Sequence, residues 1–562
     1  MYIIGIDVGG TNTDAALLCD SKVLAMAKVP TNHQDLFSST WQALGEVLCH
    51  CEQGTPLRLQ LSTTLSTNAV VEGRGAPTQV VAIPGPGVNL ETLDFPFVIH
   101  ELAGYIDHRG REVSPLDDNQ IQDLRRLLGS GQDQAVAVVG KFSQRNPNQE
   151  LKVATELAKW YGGTISLGHR LSGRANFPRR IVSTYLNASV AQQQLDFVQM
   201  WDDVLDQLEF PVQDLVILKA DGGTMTLRNA GERPIETILS GPAASIMGVQ
   251  ALIRRQEANY LILDIGGTTT DMAAVVDGEV LFERDGASIA GYKTLVPAVL
   301  TRSIGLGGDS EISYQEEEGI TIGPQRAGQP LCLGGKRLTP TDAAVALGLV
   351  DLGSRQVAIQ GWKRWADDLM LEWDELAQAV IDAFIKKLCL EVDEFYRELE
   401  SMPLYTVQAV LNPPELRPQA VVGLGAPAPV FIPKLAEVMG LPHEVLRYSA
   451  GANAIGAAAA QCTFGLTLHA DTALGIATIP ELGYHEEIHR PIFFGLDQAR
   501  ELARKKTQEY AKTHGYDHTD EVYIVEEESF RMVRGFRTVG ETHLVRTQLR
   551  PKVTKIRGDD HG

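Results

Sequence analysis

The octapeptide Asp7–Asp14, DVGGTNTD, returns at Asp264–Asp271 as DIGGTTTD, with six of eight positions identical. Each copy follows an apolar, β-branched run (IIGIDV, LILDI) and precedes a second one (AALL, MAAVV). Apolar runs on both sides of a Gly-Gly pair predict a β-hairpin, not a strand feeding a helix. A glycine turn lets backbone N–H groups converge on phosphate oxygens, an approach that side chains would obstruct. Gly9, Gly10, Gly266 and Gly267 supply such turns, and Thr11, Asn12, Thr13, Thr268, Thr269 and Thr270 surround them with further donors. Asp7 and Asp264 end the leading strands. Carboxylates repel phosphate, so these two make chemical sense with a hard cation such as Mg²⁺ in between. One such loop alone reads as a plain hairpin turn; a matching pair argues for nucleotide binding. Asp14 and Asp271 either pin the turn by hydrogen bonds or act on a metal or an attacking water.

Other phosphate and catalytic signatures are missing. No G-x-x-x-x-G-K-[ST] loop occurs, and G-x-S-x-G is not present. GLGAPA (Gly423–Ala428) fits a dinucleotide fingerprint after a strand, but Pro427 and Pro429 would fall in the first turns of the required helix and oppose it.

The 562 residues predict two or more domains. Hydrophobic residues at 44% and charged residues at 22% give ordinary globular usage. A formal net charge of −21 excludes the basic footprint of a nucleic-acid or acidic-membrane binder. The six cysteines are scattered, and Cys49-His50-Cys51 lacks a second pair at zinc spacing, so reduced thiols and a cytoplasmic location are expected. Neither a signal peptide nor an apolar membrane span is read.

Strand-like runs (LRLQLST, TQVVAI, AVAVVG, DLVIL) interleave with helical ones (35–51, 148–163, 179–208, 375–399), and QAVVGLGAPAPVFIPKLAEVMG (419–440) reads as strand, loop and helix, which predicts an α/β class. The expected domains are 1–180, 181–464, and a more polar extension, 465–562, with short strands and one Lys/Arg-rich helix at 499–513.

The paired octapeptides resemble the two phosphate loops of the actin-like ATPase fold, shared by sugar kinases, heat-shock chaperones and actin. Further blocks narrow the resemblance to the hydantoinase A / 5-oxoprolinase family. These are STTLSTNAVVEGRGAPT (Ser62–Thr78), YIDHRGREVSPLD (Tyr105–Asp117), ILSGPAASIMG (Ile238–Gly248), SIGLGGDSEI (Ser303–Ile312), ITIGPQRAGQPLCLGGKRLTPTDAAVALG (Ile320–Gly348) and GANAIGA (Gly451–Ala457). They cover residues 1 to about 460 in the family's order. Where the family has GGGS this chain has GGDS, with Asp309 in place of a glycine. The family's PGPxCYGxGG is shortened to QPLCLGG, its GGAGP is GLGAP, and its large C-terminal region is replaced by a shorter tail.

The resemblance implies two ribonuclease-H-like domains of the actin/sugar-kinase type closing over a nucleotide cleft, with ATP and Mg²⁺ as cofactors. It implies phosphate contacts from Gly9–Thr13 and Gly266–Thr270 and an adenosine contact at Gly425 and Ala426. Asp7, Asp264 and Asp271 form the implied catalytic set, with Asp7, Asp264 and Asp309 toward metal. Thr63, Thr64, Thr67 and Asn68 read as substrate- or phosphate-side contacts, or as a capping cluster for the next helix. Ser240 and Gly241 either contact ligand or merely begin a helix. The implied chemistry is phosphorylation of a cyclic amide's carbonyl oxygen, as in a hydantoin or 5-oxoproline, followed by ring opening. A small-molecule kinase, an ATP-dependent ketone carboxylase subunit and a noncatalytic ATP-binding partner are the competing readings. A second subunit of hydantoinase B type and an oligomer are expected.

Overall fold

The computed structural model describes residues 1–255, 257–283, 285–315, 319–402, 415–513, 522–549 and 552–557. Contacts divide the chain into two compact units that do not follow chain order. The first comprises Met1–Ala243, Glu283–Ala298 and Ala457–Thr554; the second comprises Ala244–Phe282, Val299–Gly456 and Lys555–Gly562.

The first unit is built on a six-stranded sheet in the order Thr224–Thr226, Val212–Leu218, Leu57–Thr63, Tyr2–Val8, Asn12–Cys19, Lys22–Pro30. The opening hairpin is antiparallel with Asp7 opposite Asp14, while Tyr2–Val8 runs parallel to Leu57–Thr63 on its other side with Val8 opposite Thr63. Ile4, Ile6, Val8, Leu17, Leu59 and Leu61 are fully buried in the core around this sheet. Each such side chain contributes about 1.5–3 kcal/mol, so the position of Asp7 is fixed by the packing of its neighbours. A parallel sheet ordered Thr164–Leu167, Ala135–Gly140, Thr78–Ile83, Ile99–Glu101 lies in the same unit. The 31-residue helix Phe177–Gln207 packs on it through Phe177, Ile181 and Ala188.

The second unit repeats the opening theme. Its sheet runs Glu279–Val280, Thr270–Val276, Tyr260–Ile265, Ala420–Leu424, His443–Val445, and Thr301–Ile304 also pairs with Thr270–Val276. Again the hairpin is antiparallel, with Asp264 opposite Asp271, and the next strand, Ala420–Leu424, is parallel. Two sheets that each open with a glycine-rich hairpin joined to a parallel strand give the actin-like, ribonuclease-H-type α/β fold read from the sequence. The helix Ala428–Met439 follows Ala420–Leu424 directly. Here the prolines do not oppose it as expected: Pro427 is its N-cap and Pro429 lies in its first turn, where a missing N–H breaks no intrahelical bond.

Two helices of the second unit, Ser240–Leu252 (from Ala244 onward) and Ala452–Ala459, cross at close range. A Cβ on Gly456 would lie 2.0 Å from the Ala244 carbonyl oxygen, and one on Gly248 would lie 2.2 Å from that of Ala452. Only glycine fits at either position.

The C-terminal segment also departs from expectation. Its sheet is ordered Tyr484–Glu487, Ile476–Ile479, Gly465–Asp471, Arg537–Leu549, Val522–Arg534, and the last two are 13-residue strands, not short ones. Many side chains of Val522–Arg534 stay exposed, so its run of charges hid a strand from hydropathy. The basic helix spans Leu496–Thr513 and buries Ala499, Ala503, Thr507 and Ala511 at four-residue spacing. Residues 514–521, 550–551 and 558–562 of this expected extension lie outside the described residues.

Candidate functional site

Both hairpin turns close in the same way. Gly9 N donates to Asn12 O at 3.0 Å, and Gly266 N donates to Thr269 O at 2.9 Å. A Cβ on Gly9 would fall 2.9 Å from Asn12 O, so this turn admits no side chain there. At the tips Gly10, Thr11, Thr268 and Thr269 are exposed, Gly9, Asn12, Gly266 and Gly267 are half-buried, and Thr13 and Thr270 are fully buried. The two buried threonines hold the loops from behind. Thr13 Oγ1 is 3.0 Å from Thr31 Oγ1, and Thr31 Oγ1 donates to Gly9 O at 2.9 Å. Thr270 Oγ1 donates to Leu306 O at 2.6 Å.

In the first unit the predicted residues come together. Thr64 N donates to Val8 O at 3.2 Å, which sets Thr63 and Thr64 beside the end of the Asp7 strand. A Cβ on Gly10 would meet Asn68 Nδ2 at 3.3 Å. Thr64 is the N-cap of the helix Leu65–Val71, but its hydroxyl makes no capping bond and instead accepts from Asn68 Nδ2 at 3.3 Å. Leu239 N donates to Thr67 Oγ1 at 3.0 Å, and Ser240 Oγ donates to Thr63 O at 2.8 Å. A Cβ on Gly241 would be 3.1 Å from Thr64 Cγ2. Asp7, Gly10, Thr63, Thr64, Thr67, Asn68, Ser240 and Gly241 therefore form one cluster. Leu239, next to it, is held at φ +70°, a left-handed conformation that costs a residue with a Cβ about 1–2 kcal/mol. Asp14 is paired with Lys28 at 2.8 Å; burial raises its pKa and Lys28 partly offsets the rise.

In the second unit Asp264, Asp309 and Gly425 converge on the other turn. Gly308 N donates to Gly266 O at 3.0 Å and Asp309 N to Gly267 O at 2.6 Å, so the GLGGDS loop lies along the turn. The Asp309 carboxylate lies against Gly267, where a Cβ would come within 2.5 Å of Oδ2, and that oxygen accepts from Arg326 Nη2 at 2.8 Å. Gly425, at φ +92°, approaches so closely that a Cβ would be 2.1 Å from Ile265 O and 3.0 Å from Asp264 Oδ1. Ala426, the next residue, is exposed. Ser245 Oγ lies 2.6 Å from Asp264 Oδ2 and 2.7 Å from Asn453 Oδ1. Burial pushes the Asp264 carboxyl up to about 6, opposed by the Ser245 hydrogen bond and helped by the charge of Asp271. Burial also raises Asp271. Among the described residues no group of three or more His, Cys, Asp or Glu side chains is placed to hold a metal by itself.

Sequence reasoning missed Lys28, Thr31, Ser245, Asn453, Arg326 and the bond from His33 Nε2 to Gly10 O at 2.8 Å. Ser245 and Asn453 lay inside quoted blocks, SGPAASIMG and GANAIGA, but nothing local marked them as neighbours of Asp264.

A family profile described as Hydantoinase/oxoprolinase matches residues 180–465, and one for the Hydantoinase/oxoprolinase N-terminal region matches residues 3–160. The chain is 25% identical over 488 residues to the caprolactamase subunit alpha of Pseudomonas jessenii, covering 78% of this chain and 67% of that one. It is 23% identical over 523 residues to the acetone carboxylase beta subunit of Xanthobacter autotrophicus, covering 82% and 70%. The crystal structure of the ATP-dependent caprolactamase from Pseudomonas jessenii superposes with a TM-score of 0.69 at 20% identity, covering 99% of this chain and 88% of that chain. That likeness is one of fold. No helix among the described residues is long and apolar enough to cross a membrane.

Proposed function

We propose, from the premise that this chain belongs to the hydantoinase/oxoprolinase family, that it is the ATP-using subunit of an enzyme that activates the carbonyl of a cyclic amide for ring opening. The observation that carries this reading is the twin turn. Gly9 N–Asn12 O and Gly266 N–Thr269 O close at 3.0 and 2.9 Å, each with exposed donors at its tip and an aspartate at its base. Phosphoryl transfer needs mostly positioning and charge stabilisation, and backbone donors with threonine hydroxyls supply both.

In this reading Gly10, Thr11, Thr268 and Thr269 bind phosphate oxygens, and Gly425–Ala426 meets the nucleoside. The γ-phosphoryl passes to the amide carbonyl oxygen as its bond to the β-phosphate oxygen breaks, and ADP leaves. Water then attacks the carbon, the ring C–N bond breaks with its electron pair going to nitrogen, which takes up a proton, and a second water hydrolyses the resulting acyl phosphate to carboxylate and phosphate. Thr64, Thr67 and Asn68, with Ser240 and Gly241, hold the cyclic amide. Asp7 and Asp264 fit a hard divalent cation. The acidity of Asp264 is weakened by burial and by Asp271, and a cation beside it would reverse that shift. When bound, Mg²⁺ supplies charge neutralisation to the phosphates. Asp271 acts through Asp264, by charge.

Caprolactamase subunit alpha and acetone carboxylase beta subunit are both named as subunits, which supports a second chain, of hydantoinase B type, as partner. The acetone carboxylase relative also supports a second reading, activation of a ketone for carboxylation. ATP hydrolysis by the full chain, alone and with the partner subunit, is to be measured against lactams, hydantoins and ketones. Ring-opened product released with phosphate supports the first reading, and a carboxylated product supports the second. Asp7→Asn and Asp264→Asn should each abolish Mg²⁺-dependent turnover. Wild-type hydrolysis by both variants would refute the site.

A further inference from the structure

Within the first unit, the segments after Asp107 and Lys141 and the C-terminal sheet enclose a cavity of about 480 Å³, a volume suited to a small organic molecule. Arg109, Arg111, Arg145, His469, Asp471 and His485 stand in its wall, and none of the hairpin or Ser/Thr residues described above does. Its cations outnumber the carboxylates free to meet them. Asp471 is saturated: Arg109 Nε and Nη2 donate to it at 2.8 and 3.0 Å, and the N–H groups of Ala473 and Leu474 donate at 2.9 Å each. Asp107 is likewise engaged by Arg111, whose Nε and Nη2 donate at 2.9 and 2.7 Å, and by the backbone N–H groups of Arg109 and Arg111.

Arg145 is left over. Its guanidinium makes no hydrogen bond or ion pair among the described residues, and Asp471, Asp107 and Glu528 act on it only through space. Arg145 is half-buried, and burial lowers its proton affinity more than the through-space charges of Asp471, Asp107 and Glu528 raise it. A guanidinium kept in such surroundings is costly unless something pairs with it. Beside it, His469 is 5% exposed. Its Nε2 lies 2.8 Å from Gly173 O, so that nitrogen carries the proton and Nδ1 presents a lone pair. Nδ1 has no hydrogen-bond partner. Burial and the Arg145 charge push the ring down to about 4, so it is neutral and can only accept at Nδ1. The wall thus offers an unpaired cation next to an unpaired acceptor.

We propose that this cavity binds a small carboxylate bearing a hydroxyl or amino group, its carboxylate on Arg145 and its O–H or N–H on Nδ1 of His469. The class includes the amino acid that opening of a cyclic amide would release, but the site stands on Arg145 and His469 alone.

Isothermal titration of the full chain with matched probes tests this. Glutamate is set against glutarate, 2-hydroxybutanoate against butanoate, and inorganic phosphate forms a separate arm. Charge-assisted bonds of the kind proposed correspond to roughly tenfold or more in affinity. The donor-bearing member of at least one pair should bind about tenfold tighter than its match. Arg145→Gln should weaken that binding by a similar factor with ATP binding unchanged and a ligand-free melting temperature no lower than the parent's. If that variant does not fold, Arg145→Lys, which keeps the charge but not the fork, should still bind several-fold more weakly than the parent. No binding by any organic probe, equal affinity within both pairs, tighter binding of phosphate than of the organic acids, or undiminished binding by the Arg145 variants would overturn the proposal.

Discussion

Replacing Asp264 by asparagine should stabilise the ligand-free protein while destroying its activity. The carboxyl titrates at about 6 in the folded chain against an ordinary 3.8. A folded-state pKa above the unfolded one means that the folded protein holds the proton more tightly. Stability from this group is therefore full below about pH 4, falls as pH rises toward 6, and stays low above it. Fully expressed, the difference is worth ~3 kcal/mol at pH 8, and partial solvation of the side chain lowers that to ~1–3 kcal/mol. Asparagine keeps the shape and can still accept from Ser245 Oγ, 2.6 Å away in the parent, without a charge to bury. Thermal melts of both proteins without nucleotide or Mg²⁺, from pH 5 to pH 8, should show Asp264→Asn melting several degrees higher at pH 8. The advantage should shrink to about half at pH 5. A variant less stable than the parent at pH 8, or a gain that does not change with pH, would refute the reasoning.

Gly425→Ala should cost about 3 kcal/mol or more in urea unfolding and raise the KM for ATP, because its Cβ would lie 2.1 Å from Ile265 O at φ +92°. Thr270→Val should cost about 1–3 kcal/mol by leaving Leu306 O unpaired. Thr13→Val should cost less in the same unfolding assay, since Thr31 Oγ1 keeps its bond to Gly9 O. Asp309→Asn should leave the Mg²⁺ concentration for half-maximal ATP hydrolysis unchanged, because Arg326 already occupies that carboxylate; a weaker Mg²⁺ response would put Asp309 on the metal.

Both hairpins were legible because a Gly-Gly pair between β-branched runs is a local signal. The helix Trp373–Ser401 was legible through its periodicity, whereas Phe177–Gln207 was read with almost none and Arg355–Leu369 went unread. The environment of the acids was not, because it is assembled by strands and helices far apart in the chain. Thr31 meets Thr13 across 18 residues, Ser245 meets Asp264 across 19, and Asn453 meets Ser245 across 208. None of these pairs has a periodic signature. The helix Ala428–Met439 was legible too, but the prolines held against the dinucleotide fingerprint there were weighed without their position in the first turn. The strand Val522–Arg534 was underestimated because exposure on both sides erased the alternation that marks a half-buried strand.

The crossing at Gly248 and Gly456 leaves no clearance for the two helices to slip, and Ser245 and Asn453 ride on those same two helices, one turn or less from the contact. The Ser245 hydroxyl opposes the rise that burial imposes on the Asp264 carboxyl, and Asn453 holds that hydroxyl, so the interlock works as a chemical gauge. A tilt of either helix that stretched the Ser245 hydrogen bond would leave burial less opposed and the carboxyl less acidic.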